Sequence, residues 1–518
     1  MDIKSIVIAG GGSAGWMTAS AIAKCHPDIK VTLIESKNIP IIGVGESTLT
    51  PINQFIELLG LKDHEWMPKC DAVYKLAIKY CDFSPESYYY DVLKSHRPLI
   101  VDNVPVHVMD HLLLEKMNPN VGPFCQFFDD TYDMIHENKF TNSSEKLDWD
   151  FRYDKAYHMD AYKFGLALKE LVAEPNGVTH IQDDIVEIPL NELGEVACIT
   201  TKEHGSITAD LYIDCTGFKG LLIEGALGVP FESFNDTFMN DRAIAANIPY
   251  EDKDAELLSY TNCTALENGW MWQIPIWNRV GTGYVYSSKF VDDETALKEY
   301  KNGLRKIYGD RADNIEYRYV PFKPGVREKP WHKNVLSIGL AFGFLEPLNS
   351  TGLLVTHENV SRLIQLLEIT NKRINQIDKD VFNLNAKGQL RKFKDFVLTR
   401  YALAKRDDTP YWQHVRNNVN YINSDSKTYE TLAQILKQKF YNLQMDEHFN
   451  SRVLSGMNYN PITSFDIKQW TENGSLDINR LNTITAVWND RKSQIKEYTN
   501  QLGTQAEFLR KNIYNETY

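Results

Sequence analysis

Apolar and polar positions along the chain fall into two textures. Ile3–Ala9 is a β-branched run that ends in glycines and predicts a buried strand. Trp16–Lys24 (WMTASAIAK) has helical composition, and Lys30–Glu35 (KVTLIE) predicts a second strand. The spacing therefore predicts strand–turn–helix–strand within about thirty residues. LYIDCTG (211–217) and NVLSIGLAFGF (334–344) predict further strands ending in glycine, as buried strands feeding a ligand site do. Between them lie polar, aromatic-rich strands and loops. From Leu353 the texture changes. LLVTHENVSRLIQLLEI, DKDVFNLNAKGQLRKFKDFVLTRYALAK and TYETLAQILKQKFYNLQ predict amphipathic helices, and TITAVWNDRKSQIKEYTNQLGTQAEFLRKNIY predicts one long surface helix. No internal repeat or low-complexity linker separates the two regions. The expected fold class is α/β: a nucleotide-binding module with interleaved β-rich segments over residues 1–365, and a mainly helical portion over 366–518.

Composition narrows the function. The 518 residues are 43% apolar and 24% charged, as in an ordinary globular protein, so disorder is not expected. That length allows one large two-part domain or several ordinary ones, because single cores stop growing beyond roughly 250–300 residues. A net charge of −13 argues against a nucleic-acid surface and against attraction to anionic membranes. No run approaches the roughly 18 apolar residues of a membrane span, and MDIKSIVIAGGGSAGW reads as strand and turn rather than signal peptide. Cys25, Cys70, Cys81, Cys125, Cys198, Cys215 and Cys263 are odd in number, scattered and without a CxxC. They predict reduced thiols in a cytoplasm, with neither a disulfide frame nor a metal site.

The chemistry begins at GGGSAG (10–15). Gly10, Gly12 and Gly15 fit G-x-G-x-x-G, with Ser13 and Ala14 between. The turn needs Gly10, a side chain at position 12 would hold a pyrophosphate off, and Gly15 lets helix and strand pack closely. The helix start offers unpaired N–H groups to phosphate. Glu35 ends the second strand, where a carboxylate can accept from ribose hydroxyls. An unliganded turn is the alternative, and position alone does not choose between nicotinamide and flavin. The extra glycine and the later IDCTG and SIGLAF segments look more like FAD oxidoreductases, in which further glycine-ended strands approach the flavin.

IGVGES (42–47), HEWMPKCDAVYKLAIKY (64–80), GWMWQIP (269–275), GFLEPLNSTG (343–352) and KRDDTPYW (405–412) follow in order. Together they resemble the flavin-dependent tryptophan halogenase family, over roughly residues 1–415. WxWxIP, at Trp270, Trp272, Ile274 and Pro275, is that family's most specific mark. The resemblance implies a Rossmann-like, aromatic-hydroxylase-type FAD module, with Gly45, Gly339 and Leu353 added to the cofactor contacts. It implies reduced FAD from a separate, diffusible flavin reductase, O2, and a halide oxidised to hypohalous acid. That acid passes through an internal tunnel to a lysine beside a small aromatic substrate. The family lysine maps onto Lys75. No membrane or nucleic-acid partner is implied, and a homo-oligomer is compatible.

Read from residue types alone, these positions stay open. In Val73–Tyr80 alternation puts Lys75 and Lys79 on one strand face, which a solvated face with snorkelling lysines also explains. A lysine amine can hydrogen-bond hypohalous acid or carry its halogen to a ring. Trp270 and Trp272 share a strand face. They either fill core or form a rigid wall that keeps substrate off the flavin, whose oxygen-loaded form would hydroxylate a ring it touched. Leu353 opens a helix, so the N–H groups of Thr351 and Gly352 suit an anion, which the resemblance implies is the halide. Capping by Ser350 or Thr351 is the plainer reading and is compatible.

Two departures from the family stand out. EPLNSTG replaces the usual EPLESTG, so Asn349 stands where a glutamate faces the substrate. Asn349 cannot stabilise a positive ring intermediate by charge or accept its proton as a carboxylate would. Glu346 matches the other family glutamate and is no obvious substitute. Lys75, Asn349 and Ser350 are the expected catalytic residues. The family's ring contacts fall near YYYDV (88–92), making Tyr89 and Tyr90 candidate lining residues, and its aromatic and acidic clamp for the indole and amino-acid end does not align residue by residue with 430–450. The expected substrate is therefore an electron-rich phenol or indole other than free tryptophan, with chloride, bromide or iodide. A flavin-dependent aromatic hydroxylase and a non-catalytic FAD-binding protein are the alternatives.

Overall fold

The computed structural model describes the chain except residues 39–44, 85–86, 94–99, 102, 119, 144, 419–452, 454–455, 461 and 517–518. Most of IGVG, the helix expected in TYETLAQILKQKFYNLQ and segment 430–450 lie outside the described residues.

The strand Ser5–Ala9 lies inside a six-stranded sheet. The order is Thr179–Gln182, Lys30–Glu35, Ser5–Ala9, Leu211–Asp214, Val335–Ser337, Trp331–His332. All neighbours pair in parallel except the last pair. The expected strands form, the first shortened to Ser5–Ala9. Ile6 and Ile8 enter one core while Val7 and Ala9 enter another. Burial on both faces is why these strands read as unbroken apolar runs.

A seven-stranded sheet carries the tryptophans. Its order is Arg318–Pro321, Arg242–Ile248, Arg279–Tyr286, Gly269–Ile276, Tyr260–Ala265, Ala77–Cys81, Tyr88–Val92. All eight residues of Gly269–Ile276 are buried. Trp270, Trp272 and Ile274 face the main core, while Met271 packs with Ala296, Tyr300 and Leu304 of the helix Asp293–Tyr308. The two indoles share a face as expected, 6.2 Å apart. Room for Trp272 comes from the adjacent strand, where Gly283 lies opposite it; Gly281 lies opposite Ile274.

Between the sheets sits a three-stranded ladder of Glu46–Ser47, Ala156–Met159 and Val73–Lys75. It corrects one expectation. Val73–Tyr80 is not one strand: the chain changes sheets at Leu76, whose N–H donates to Ser259 O at 2.6 Å. Lys75 stays in the small ladder, fully buried, whereas Lys79 joins the large sheet and is half-buried. The two lysines therefore do not share one solvated face.

The helices Thr351–Ile369 and Gln376–Leu403 follow the predicted periodicity. The expected single C-terminal helix is two pieces, Ile478–Thr499 and Gln505–Leu509. Thr504 ends the break by capping the second piece, its hydroxyl accepting from Glu507 N–H. Leu481, Ile484, Trp488, Ala506 and Leu509 are buried, so this region is not merely surface. Tyr514 turns back to stack on Trp277 at 4.0 Å and donates to Ala72 O at 2.8 Å. No helix among the described residues is long and apolar enough to cross a membrane.

A Cβ at Gly283 would lie 2.1 Å from the Trp272 ring. Gly283→Ala is expected to cost about 1–3 kcal/mol by overpacking, read as a lower urea midpoint with a changed near-ultraviolet tryptophan signal.

Candidate active site

The glycine-rich turn is built by exclusion. A Cβ on Gly10, whose φ is +110°, would lie 2.3 Å from Cys215 O, and one on Gly15 would lie 1.9 Å from Gly10 O. Neither position admits a side chain. Gly12 is different: a Cβ there meets nothing within 4 Å, and no side chain caps the helix Ser13–Cys25. The turn thus leaves backbone and helix N–H groups open to an anion, which fits a pyrophosphate. Ser13 turns its hydroxyl away, to Ala161 O at 2.8 Å. Glu35 reaches over Gly11, where a Cβ would lie 1.8 Å from its Oε2, and its Oε1 pairs with His180 Nε2 at 2.7 Å. The extra glycine therefore makes room for the carboxylate, a role that spacing alone does not reveal. Gly339, at φ +69°, packs on Ala14, and buried Leu353 lies in the first turn of Thr351–Ile369. Gly45 lies against Ile274, with 3.5 Å to a Cβ, so IGVGES and WxWxIP meet.

Lys75 is fully buried, and burial lowers its pKa to about 7. Its Nζ donates to Thr48 O at 2.8 Å and to Ser350 Oγ at 3.0 Å, two neutral acceptors. Thr48 is locked to Tyr157 through its own N–H and hydroxyl. Ser350 lies in the left-handed region, φ +57°, between the turn Pro347–Asn349 and the helix from Thr351. That conformation takes its side chain away from capping, and it makes no cap hydrogen bond. The N–H groups of Thr351 and Gly352 lack a capping oxygen from Ser350 as a result. Beside them, Glu46 Oε1 lies 3.6 Å from a Cβ on Gly352. Burial raises the Glu46 pKa to about 7, so the carboxyl is half neutral near that pH.

Asn349 sits against Arg400. With its amide oxygen toward the guanidinium, the orientation that satisfies the donors, it accepts from Arg400 at 2.9 and 3.1 Å and from Tyr80 at 3.1 Å. Arg400 is fully buried, pairs with Asp91 at 2.8 Å and donates to the Tyr89 hydroxyl at 3.1 Å. Its guanidinium lies 4.4 Å from the Tyr80 ring centre, and Tyr80 stacks on Tyr89 at 4.9 Å. Tyr89 therefore belongs to the Asn349 cluster. Tyr90 points to the other sheet face, against Tyr132, His136 and Tyr260. Arg400 escapes sequence reading because it looks like one more basic position in an amphipathic helix.

Behind this cluster, Cys263 Sγ approaches Leu348 O at 3.9 Å and Trp270 lies beside Glu346. Glu346 is buried, which raises its pKa to about 7, and it accepts from Tyr401 at 2.5 Å and Asn240 at 3.0 Å. It is committed to those partners and does not reach Lys75 by any hydrogen bond. Trp270, Trp272 and Ile274 thus line the side of the sheet that meets the EPLNSTG segment, with Pro275 at its end.

Comparison with known proteins gives this geometry its context. The sequence pattern of the family described as tryptophan halogenase matches residues 5–464. Tryptophan 6-halogenase SttH of Streptomyces toxytricini is 34% identical over 431 residues, 79% of this chain and 80% of that protein. The apo structure of VirX1 superposes with a TM-score of 0.91 at 35% identity, covering all of both chains. BrvH, a flavin-dependent halogenase from Brevundimonas sp. BAL3, superposes with a TM-score of 0.82 at 28% identity, covering 98% of this chain and 99% of that one. The chain belongs to the tryptophan halogenase family and is an enzyme of the flavin-dependent halogenase class, on that class's Rossmann-like mixed α/β fold.

Proposed function

We propose that this enzyme uses reduced FAD, O2 and halide to halogenate an electron-rich phenol- or indole-like substrate, with Lys75 delivering the halogen. The observation that carries the reading is Lys75 itself, a fully buried amine held between two neutral acceptors, with a pKa lowered to about 7. A structural lysine gains nothing from such a place; a reagent-handling amine gains access to its neutral form near neutral pH. Gly10, Gly12, Gly15, Glu35, Gly45, Gly339 and Leu353 would hold the cofactor. Bound there, reduced FAD supplies with O2 the oxidation of halide to hypohalous acid. The N–H groups of Thr351 and Gly352 hold the halide. Trp270 and Trp272 exclude substrate from the cofactor side.

Asn349 sets the substrate class. It gives Arg400 and Tyr80 a neutral acceptor and brings no negative charge toward a reacting ring. Rings that stabilise their own positive charge depend least on that missing carboxylate. Tyr80 and Tyr89 supply aromatic surface beside it.

Turnover with FAD, any flavin reductase, NADH, O2 and catalase, on phenols, indoles and free tryptophan with each halide, is expected to give halogenated phenol or indole by mass spectrometry. Hydroxylated product would overturn the reading. Lys75→Ala is expected to lower halogenation by at least about a hundredfold while FAD binding is retained.

The Glu46 carboxyl loses its proton as pH rises through about 7. Halide affinity, titrated in the presence of FAD, is expected to weaken across that range, because the new negative charge faces the anion. Glu46→Gln is expected to reduce that pH dependence to the part contributed by Lys75, which loses its positive charge over the same range. Asn349→Glu places a carboxylate where Arg400 already offers a counter-ion. It is expected to raise the rate on a weakly activated indole relative to a phenol by about tenfold, or ~1.4 kcal/mol.

A further inference from the structure

A line of buried hydroxyls leads away from Lys75. Ser350 Oγ lies 2.9 Å from Ser47 Oγ, Ser47 Oγ 2.8 Å from Thr261 Oγ1, and Thr261 Oγ1 2.8 Å from His158 Nε2. His158 Nδ1 lies 3.1 Å from Pro275 O. Lys75 and these four residues are at most 4% exposed. The line crosses three elements: the small ladder, where Ser47 is in register with His158, the strand Tyr260–Ala265, and the end of WxWxIP.

The direction of every bond in this line is dictated. Pro275 O can only accept, so Nδ1 carries the proton of a neutral His158 and Nε2 accepts from Thr261. Burial, then the charge of Lys75, keep His158 neutral by lowering its pKa well below the ordinary value. Each hydroxyl has one proton. Thr261 spends its own on His158 and must accept from Ser47. Ser47 must then accept from Ser350, and Ser350 must accept from Lys75.

We propose that Ser47, Thr261 and His158 are positioning residues that hold Ser350 as an obligate acceptor and so keep the lone pair of Lys75 free for the halogen. The inference rests on the role of Lys75 given above. A neutral amine has two N–H bonds and one lone pair. Thr48 O accepts one N–H and Ser350 Oγ the other, so the lone pair occupies the remaining tetrahedral direction. It attacks the halogen of hypohalous acid: the N–halogen bond forms as the halogen–oxygen bond breaks, and the departing hydroxide leaves as water with one amine proton. Without the line, the Ser350 hydroxyl is free to turn and donate to the lone pair, which would quench it.

The charged and titratable groups facing Lys75 are Cys263, Asp91 and Glu46, and the group facing His158 is Lys75. Ser47→Ala adjoins Glu46 in the chain, so Thr261→Val, on another strand, controls for a disturbed Glu46. The experiment measures pH–rate profiles of halogenation on a phenol, with hypohalous acid captured by an added scavenger, for Ser47→Ala, Thr261→Val, Thr261→Ser and Lys75→Ala. Ser47→Ala and Thr261→Val are expected to lose at least about tenfold in kcat with KM for the phenol and capture of hypohalous acid unchanged. Their acid limb is expected to move to lower pH, because a donating Ser350 favours the neutral amine. Thr261→Ser, which keeps the hydroxyl, is expected to restore the wild-type profile. Wild-type profiles in Ser47→Ala and Thr261→Val beside an inactive Lys75→Ala would overturn the positioning role alone, as would a uniform loss with no shift of the limb. A fully active Lys75→Ala would overturn the lysine assignment itself.

Discussion

The site depends on one electrostatic constraint, an amine taken fully out of water without a carboxylate among its hydrogen-bond partners. Removing a charge from solvent is costly, and a neutral carbonyl and hydroxyl repay only part of that cost. The chain meets the cost by letting the amine lose its proton near neutral pH. The surroundings follow from that choice. A three-stranded ladder fixes Thr48 and Lys75 together, and a left-handed serine gives up its cap to serve the amine. The helix after it is left with donors that suit an anion.

A second buried charge is handled in the opposite way. Arg400 keeps its proton and is surrounded by groups that answer it: Asp91, the Tyr89 hydroxyl, the Tyr80 ring and the Asn349 oxygen. Asn349 in this setting is no gap left by a lost glutamate. It is an acceptor without charge, matched to a cation that already has a carboxylate. Two cationic side chains thus share one region, one titratable and one permanently charged, and the neutral amide stands on the segment between them.

Much of this was legible in the sequence, and what was not has a physical reason. Ser5–Ala9 and Leu211–Asp214 show themselves because parallel strands covered on both faces must be apolar throughout. GGGSAG shows itself because Gly10 and Gly15 have no room for a Cβ. The break at Leu76 is hidden, since both halves remain extended and alternation runs on across it. Arg400 is hidden because its burial is created by Asp91, Tyr80 and Tyr89, some three hundred residues away in the chain. His158 carries no local signal; only the meeting of the ladder with the tryptophan strand gives it a purpose. The paired tryptophans were visible, but the glycine that admits Trp272 lies on the next strand, at Gly283.

The ring of Tyr514 lying on Trp277 has a bearing on how two distant segments are held together. Trp277 follows directly on Ile276 and Pro275, and the Tyr514 hydroxyl reaches Ala72, three residues before Lys75. The segments next to the strands Val73–Lys75 and Gly269–Ile276 are therefore clasped by one residue more than two hundred positions further along the chain. Residues 72 and 277, which flank the Lys75 ladder and the tryptophan strand, are thus pinned to one side chain, so a cut in the C-terminal segment would loosen both at once.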